Sequence, residues 1–111
     1  MSYDKYIITD SWIANKLLPK DLDAIVLFRK IHLRSNVVMS DRFLVHELVH
    51  IEQQRNYGMI PFVIKYLIDY IKGLIVYRDR RMAYLMIPFE IEARCKSESK
   101  AYRDFILQQF Q

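Results

Sequence analysis

Two histidines four residues apart, His46 and His50, occur in the stretch FLVHELVHIEQQ, with Glu47 directly after the first. If that stretch is helical, positions i and i+4 lie about 40° apart in projection, with roughly 6 Å between Cβ atoms. Two imidazoles at that spacing can converge on one metal ion, with Zn–N distances of about 2.0–2.1 Å. Glu47, one residue on, flanks such an ion without chelating it in the same way, and from there it can take a proton from a zinc-bound water. His46-Glu47-Leu48-Val49-His50 is therefore the HExxH pattern, in which each fixed position has a chemical reason. The chain holds only three histidines. With Leu44, Val45, Leu48, Val49 and Ile51 around the pair, the alternative to a metal site is two core histidines hydrogen-bonded to other groups.

A third ligand is offered by PFEIEAR, where Glu90 and Glu92 both follow Pro88. Pro88 suits the first position of a helix, so Glu90 falls in the first turn, where a carboxylate also complements the positive end of the dipole. At about 100° per residue the two carboxylates point about 200° apart, so only one can face the histidine helix. Glu90 shares its face with the small residues Ala93, Ser97 and Ala101, which admit another helix. Glu92 shares its face with Lys96, Ser99 and Arg103, a solvated stripe. The pattern favours Glu90, with Glu92 as the alternative.

The elements that must position these residues are legible in outline. Ser40 is a good N-cap for a helix from about Asp41 to Tyr57, and Gly58 is the expected residue just past its end. Upstream, Asp10 and Ser11 can cap a short helix, WIANKLL, that stops before Pro19. AIVLF (24–28) and KIHLR (30–34) are β-branched and apolar and predict strands. In the second of these, His32 alternates with Ile31 and Leu33, so it is expected to point with Lys30 and Arg34 toward solvent or a cleft. SNVVMS (35–40) is a connection. Pro61 suits the first turn of a helix over 59–77, YRDRRMAY (77–84) interrupts the apolar pattern, and Pro88 opens a last helix continuing toward Phe110. The expected architecture is one α+β domain, helix-dominated, with one small β-sheet.

Composition excludes several classes. At 111 residues, 52% hydrophobic and with two glycines and three prolines, the chain is an ordered single domain rather than a disordered one. Its net charge of +4 comes from scattered Lys and Arg, without a basic block interleaved with stacking aromatics, so nucleic acid is not an expected partner. The single Cys95 gives neither an intrachain disulfide nor a Cys-based zinc framework. The start, MSYDKYIITD, has no apolar signal segment, and a cytoplasmic location is the expectation. The stretch MIPFVIKYLIDYIKGLIVY (59–77) is long enough to span a bilayer but carries Lys65, Asp69 and Lys72 on one stripe. It is expected to be an amphipathic helix that buries its Ile/Leu/Val face against the histidine helix. A peripheral membrane or protein partner at that helix is the alternative.

HELVHIEQ followed by IPFEIEA resembles the gluzincin branch of the zincin metallopeptidases, particularly the very small minigluzincins and the compact HExxH domains related to the CAAX-prenyl and heat-shock membrane proteases. The similarity spans roughly residues 23–105, with the two motif segments as its specific part. It implies a zincin-like fold over residues 1–111 in which the upstream strand borders a substrate cleft. It also implies that His46, His50 and Glu90 hold Zn2+. In the family's third-ligand motif, ExxxD, an aspartate supports a histidine ligand; here Arg94 stands at that position. Gln53 matches a glutamine often found three residues after the motif. Two His and one Glu leave the fourth zinc position for water, the catalytic pattern. The implied activity is hydrolysis of peptide bonds in a peptide or unfolded protein, with Glu47 as general base and Tyr84 as a candidate for stabilising the oxyanion. The rival is a zinc-binding structural or interaction protein with little or no turnover.

Overall fold

The computed structural model describes residues 4–8, 12–17, 24–27, 30–34 and 40–110. The organising element is the helix α2 (Asp41–Tyr57). It starts where the Ser40 hydroxyl accepts a hydrogen bond from the Phe43 amide at 3.1 Å. It stops at Gly58, whose φ of +87° is a conformation that side chains with a Cβ rarely adopt. Leu44, Val45, Leu48, Val49 and Ile51 are all buried along it. The residues at both ends and the apolar run between them match the sequence expectation.

Before α2 come β1 (Ile7–Ile8), α1 (Trp12–Leu17), β2 (Ala24–Leu27) and β3 (Lys30–Leu33). The sheet order is β1-β3-β2, with β1 parallel and β2 antiparallel to the central β3; Val26 pairs with Ile31 and Ile25 with His32. After α2 come α3 (Met59–Tyr77), α4 (Arg80–Leu85), α5 (Pro88–Glu98) and α6 (Lys100–Gln109). The chain is thus α+β, helix-dominated, with one small sheet, and α2 touches β2, β3, α3, α5 and α6. One core cluster joins Val26, Ile31 and Leu33 of the sheet to the α2 apolar residues, Ala93, Ile106 and Phe110. A second cluster, Phe62, Ile87 and Phe89 with Val63, Tyr66, Tyr70 and Tyr84 around it, lies between α3, α4 and α5. Gln54, buried in α2, donates to the Val26 carbonyl at 2.8 Å and ties β2 to the histidine helix.

Three expectations are corrected. The final helix is two: at Ser99 the backbone is extended, and its hydroxyl accepts from the Tyr102 amide at 3.3 Å, so a new N-cap starts α6. His32 is 7% exposed and buried rather than solvent-facing. β3 is the central strand: Ile31 and Leu33 join the α2 core, and α1 also contacts β3. The third concerns α3. Its packed side is Phe62, Tyr66, Tyr70 and Gly73, while Ile60, Ile64, Leu67, Ile68, Ile71 and Ile75 are exposed. Lys65 and Lys72 are in water as expected and Asp69 is half-buried, but the aliphatic face is not the buried one.

YRDRRMAY does break the pattern. Arg78 turns left-handed at φ 54° and Asp79 accepts from the Arg81 amide at 3.0 Å to start α4. α4 returns against α3 at Gly73, where a Cβ would lie 2.8 Å from the Ala83 Cα, so only glycine allows this backbone contact. Asp10, Ser11, Pro19, Phe28 and the connection over 35–39 lie outside the described residues.

Candidate metal centre

α2 supplies both histidines to one side, and the first turn of α5 meets them there. His46 Nε2 lies 2.9 Å from Glu90 Oε1, and His50 Nε2 lies 3.1 Å from the same oxygen. The two imidazoles stand 5.0 Å apart between centroids, 75° from coplanar. One ligand atom from each of His46, His50 and Glu90 falls within 4.8 Å of the others. Glu90 is in the first turn because Pro88 begins α5, and it is 3% exposed. Glu92 points elsewhere: its side chain is 47% exposed and 3.5 Å from Lys96. Of the two carboxylates, Glu90 is the one that meets the histidines.

The surrounding hydrogen bonds orient this cluster. His50 Nδ1 lies 2.8 Å from Gln53 Oε1, one turn along the same helix. The Gln53 amide nitrogen in turn donates to the Phe89 carbonyl at 3.0 Å and to Glu92 at 2.6 Å. An acceptor on Nδ1 directs the other nitrogen, Nε2, at Glu90, which is the arrangement a metal-ligating imidazole uses. Gln53 thus holds His50 from within α2 and ties it to the first turn of α5. Arg94, which stands where the third-ligand motif has an aspartate, donates from Nη2 to the Leu85 carbonyl. Its Nη1 is buried with no hydrogen-bond partner among the described residues.

Tyr66 was not anticipated. Its hydroxyl donates to Glu90 Oε2 at 2.5 Å, so the carboxylate is held from both oxygens. A signal existed in the sequence: Phe62, Tyr66 and Tyr70 recur every four residues on α3, an aromatic stripe opposite the aliphatic one.

The electrostatics follow from burial and proximity. Burial works against the protonated form of His50, but the Glu90 carboxylate, by charge and hydrogen bond, with smaller help from Glu47 and Gln53, lifts its pKa to about 9. Burial likewise opposes the charge on Glu90, yet His50 and the hydrogen bonds from His46, His50 and Tyr66 hold its carboxyl well below the usual carboxylate range. Glu47 is raised, chiefly by burial and partly by Glu90, against the opposing pull of His50 and His46. Tyr66 and Tyr84 are raised by burial first and then by Glu90, so both keep their O–H at neutral pH.

These groups open onto a cleft of about 780 Å³. Its walls are β2, the first half of α2 with Glu47, the aromatic side of α3, and α4 with Tyr84; Arg94 also lines it. β2 is an edge strand of the described sheet and contributes Ala24, Ile25 and Val26 to the cleft wall. Two imidazole nitrogens and one carboxylate, three donors in all, fit zinc with a position left for a fourth ligand. No protein-family model, no curated protein and no solved structure matches this chain.

Proposed function

We propose that this chain is a zinc-dependent peptidase, acting on peptide or unfolded protein and holding zinc through His46, His50 and Glu90. The observation that carries the reading is the convergence of both Nε2 atoms on Glu90 Oε1 beside Glu47 in one cleft. Zinc bound there supplies a Lewis acid that makes water acidic and polarises a carbonyl. Glu47 is next to His46 in the chain but outside the ligand cluster, and its raised pKa suits a base that takes a proton from attacking water and returns it to the leaving nitrogen. Tyr84 keeps its proton and lines the cleft, so its hydroxyl is the donor we assign to the developing oxyanion. Tyr66 is already committed to Glu90 and serves to hold that ligand. An extended substrate can pair with the edge of β2, and the aromatic wall of α3 and α4 suits an apolar side chain.

The test combines metal content with turnover on protein made without a His-tag. We expect about one zinc per chain and slow cleavage of an unfolded protein such as casein. Glu47→Gln should keep the zinc and lose at least about 10²-fold in rate, the usual contribution of a general base. Glu90→Ala should lose the zinc while Glu92→Ala retains it. A folded sample that holds no metal, or a Glu47→Gln variant that cleaves as fast as the parent, would overturn the proposal. A zinc-loaded parent that cleaves nothing would leave a zinc-binding protein without turnover.

A further inference from the structure

Helix α3 is apolar on two sides. The inward side, Phe62, Tyr66, Tyr70 and Gly73, is used against the metal cluster and α4. The outward side carries Ile60, Ile64, Leu67, Ile68, Ile71 and Ile75, each 47–71% exposed. At about 100° per residue these six fall within an arc of about 100°, roughly opposite the packed side. A contiguous stripe of large aliphatics in water marks an interaction surface rather than ordinary surface variation.

The charge around the stripe says what covers it. Over residues 59–86, Lys65, Lys72, Arg78, Arg80 and Arg81 oppose Asp69 and Asp79, five against two, or +3 of the chain's formal +4. Lys65 and Lys72 lie along one margin of the stripe. Asp69 is turned toward the packed side, half-buried, with its carboxylate 2.8 Å from Lys65. No acidic residue falls within the arc. Tyr57 and Tyr77, 54% and 41% exposed, bracket the helix, and amphipathic rings of this kind favour the boundary between water and lipid. No described helix is long and apolar enough to cross a membrane, so the helix can only lie in the plane of the surface. An antiparallel two-fold contact between copies through this face would bring two cationic margins together, which disfavours that occupant.

We propose that the outward face of α3 docks peripherally on an anionic lipid bilayer, with its aliphatic stripe in the headgroup boundary and Lys65 and Lys72 on the anionic headgroups. Leu67 belongs both to the stripe and to the cleft wall, so the docked face and the candidate metal centre share a border. The proposal does not depend on zinc or on turnover.

Flotation of the full chain with vesicles tests it. Most of the protein should float with vesicles containing about one-third phosphatidylglycerol, and at least tenfold less with pure phosphatidylcholine. Because the apolar stripe inserts, part of the bound fraction should persist at high salt. Lys65→Glu/Lys72→Glu should abolish the preference for anionic vesicles. Ile64→Asp/Ile71→Asp should reduce binding at least tenfold with an unchanged melting profile, since both positions are exposed; Ile71→Asp alone serves if the pair fails to fold. Absence of flotation, or equal flotation of parent and aspartate variants, would overturn the proposal. So would a parent that sediments as a dimer, fails to float, and becomes monomeric in the aspartate variant; the face would then belong to a second copy.

Discussion

Replacing Gln53 by leucine, nearly the same size, removes one hydrogen-bond partner of His50 while leaving the three proposed zinc ligands, His46, His50 and Glu90, in place. Gln53 is 3% exposed and accepts from His50 Nδ1 at 2.8 Å. In the variant that N–H is left buried without an acceptor, at a cost of about 1–3 kcal/mol. The other two contacts matter less. The Phe89 carbonyl keeps its place in the first turn of α5, and Glu92 remains largely in water beside Lys96. Metal-free protein should therefore lose about 1–3 kcal/mol of stability. Because nothing then orients His50 Nε2 toward the ligand point, zinc affinity should fall about 10- to 100-fold, or about 1.4–2.8 kcal/mol. Competition with a chromophoric chelator measures the second quantity and urea unfolding the first. Gln53→Glu separates the roles: it keeps an acceptor for Nδ1 but sets a carboxylate against Phe89 O and Glu92. It should lose stability while retaining more of the zinc affinity than the leucine variant. A folded Gln53→Leu protein that binds zinc within about twofold of the parent would refute the argument that Gln53 aims His50.

In metal-free protein the His50 pKa is lifted from 6.5 to about 9, so its stabilising contribution is complete below about pH 6.5 and disappears as the pH rises through about 9. At about 1.4 kcal/mol per pH unit, unfolding free energy with chelator present should fall by up to about 3 kcal/mol across that window; a flat or rising profile would sink the His50–Glu90 pairing. Gly73→Ala should destabilise the protein despite gaining about 1 kcal/mol of helix propensity. The new Cβ would meet the Ala83 backbone at 2.8 Å, and overpacking costs about 1–3 kcal/mol, toward the upper end where backbone must move. Net of the propensity gain, a loss of about 1–2 kcal/mol should lower the melting temperature by about 4–9 °C, and a rise would mean that α3 and α4 are not in backbone contact.

What was legible in the sequence was local. Ser40 and Gly58 bound α2 because a capping hydroxyl and a left-handed glycine act within one turn of their own positions. The His46/His50 spacing puts both rings on one side of that helix for the same reason, and the phase of α5 separates Glu90 from Glu92 by rotation alone. These relations hold within single helices, so they survive any tertiary arrangement. The choice between faces was different. α3 has an aliphatic stripe and an aromatic one, and periodicity reports both as apolar without saying which is inside. The aromatic side wins because Tyr66 can give its hydroxyl to Glu90 and Gly73 lets Ala83 approach, and both partners come from other helices. His32 is buried on the central strand β3, and the last helix broke at Ser99, where the hydroxyl of that residue caps a new start. Tyr66 reaches Glu90, and Arg94 reaches the Leu85 carbonyl, only through the packing of α3, α4 and α5 against one another and of α3 and α5 on α2. Side-chain types and helical phase belong to the chain locally; which face is covered depends on contacts between residues distant in sequence, and those form only in three dimensions.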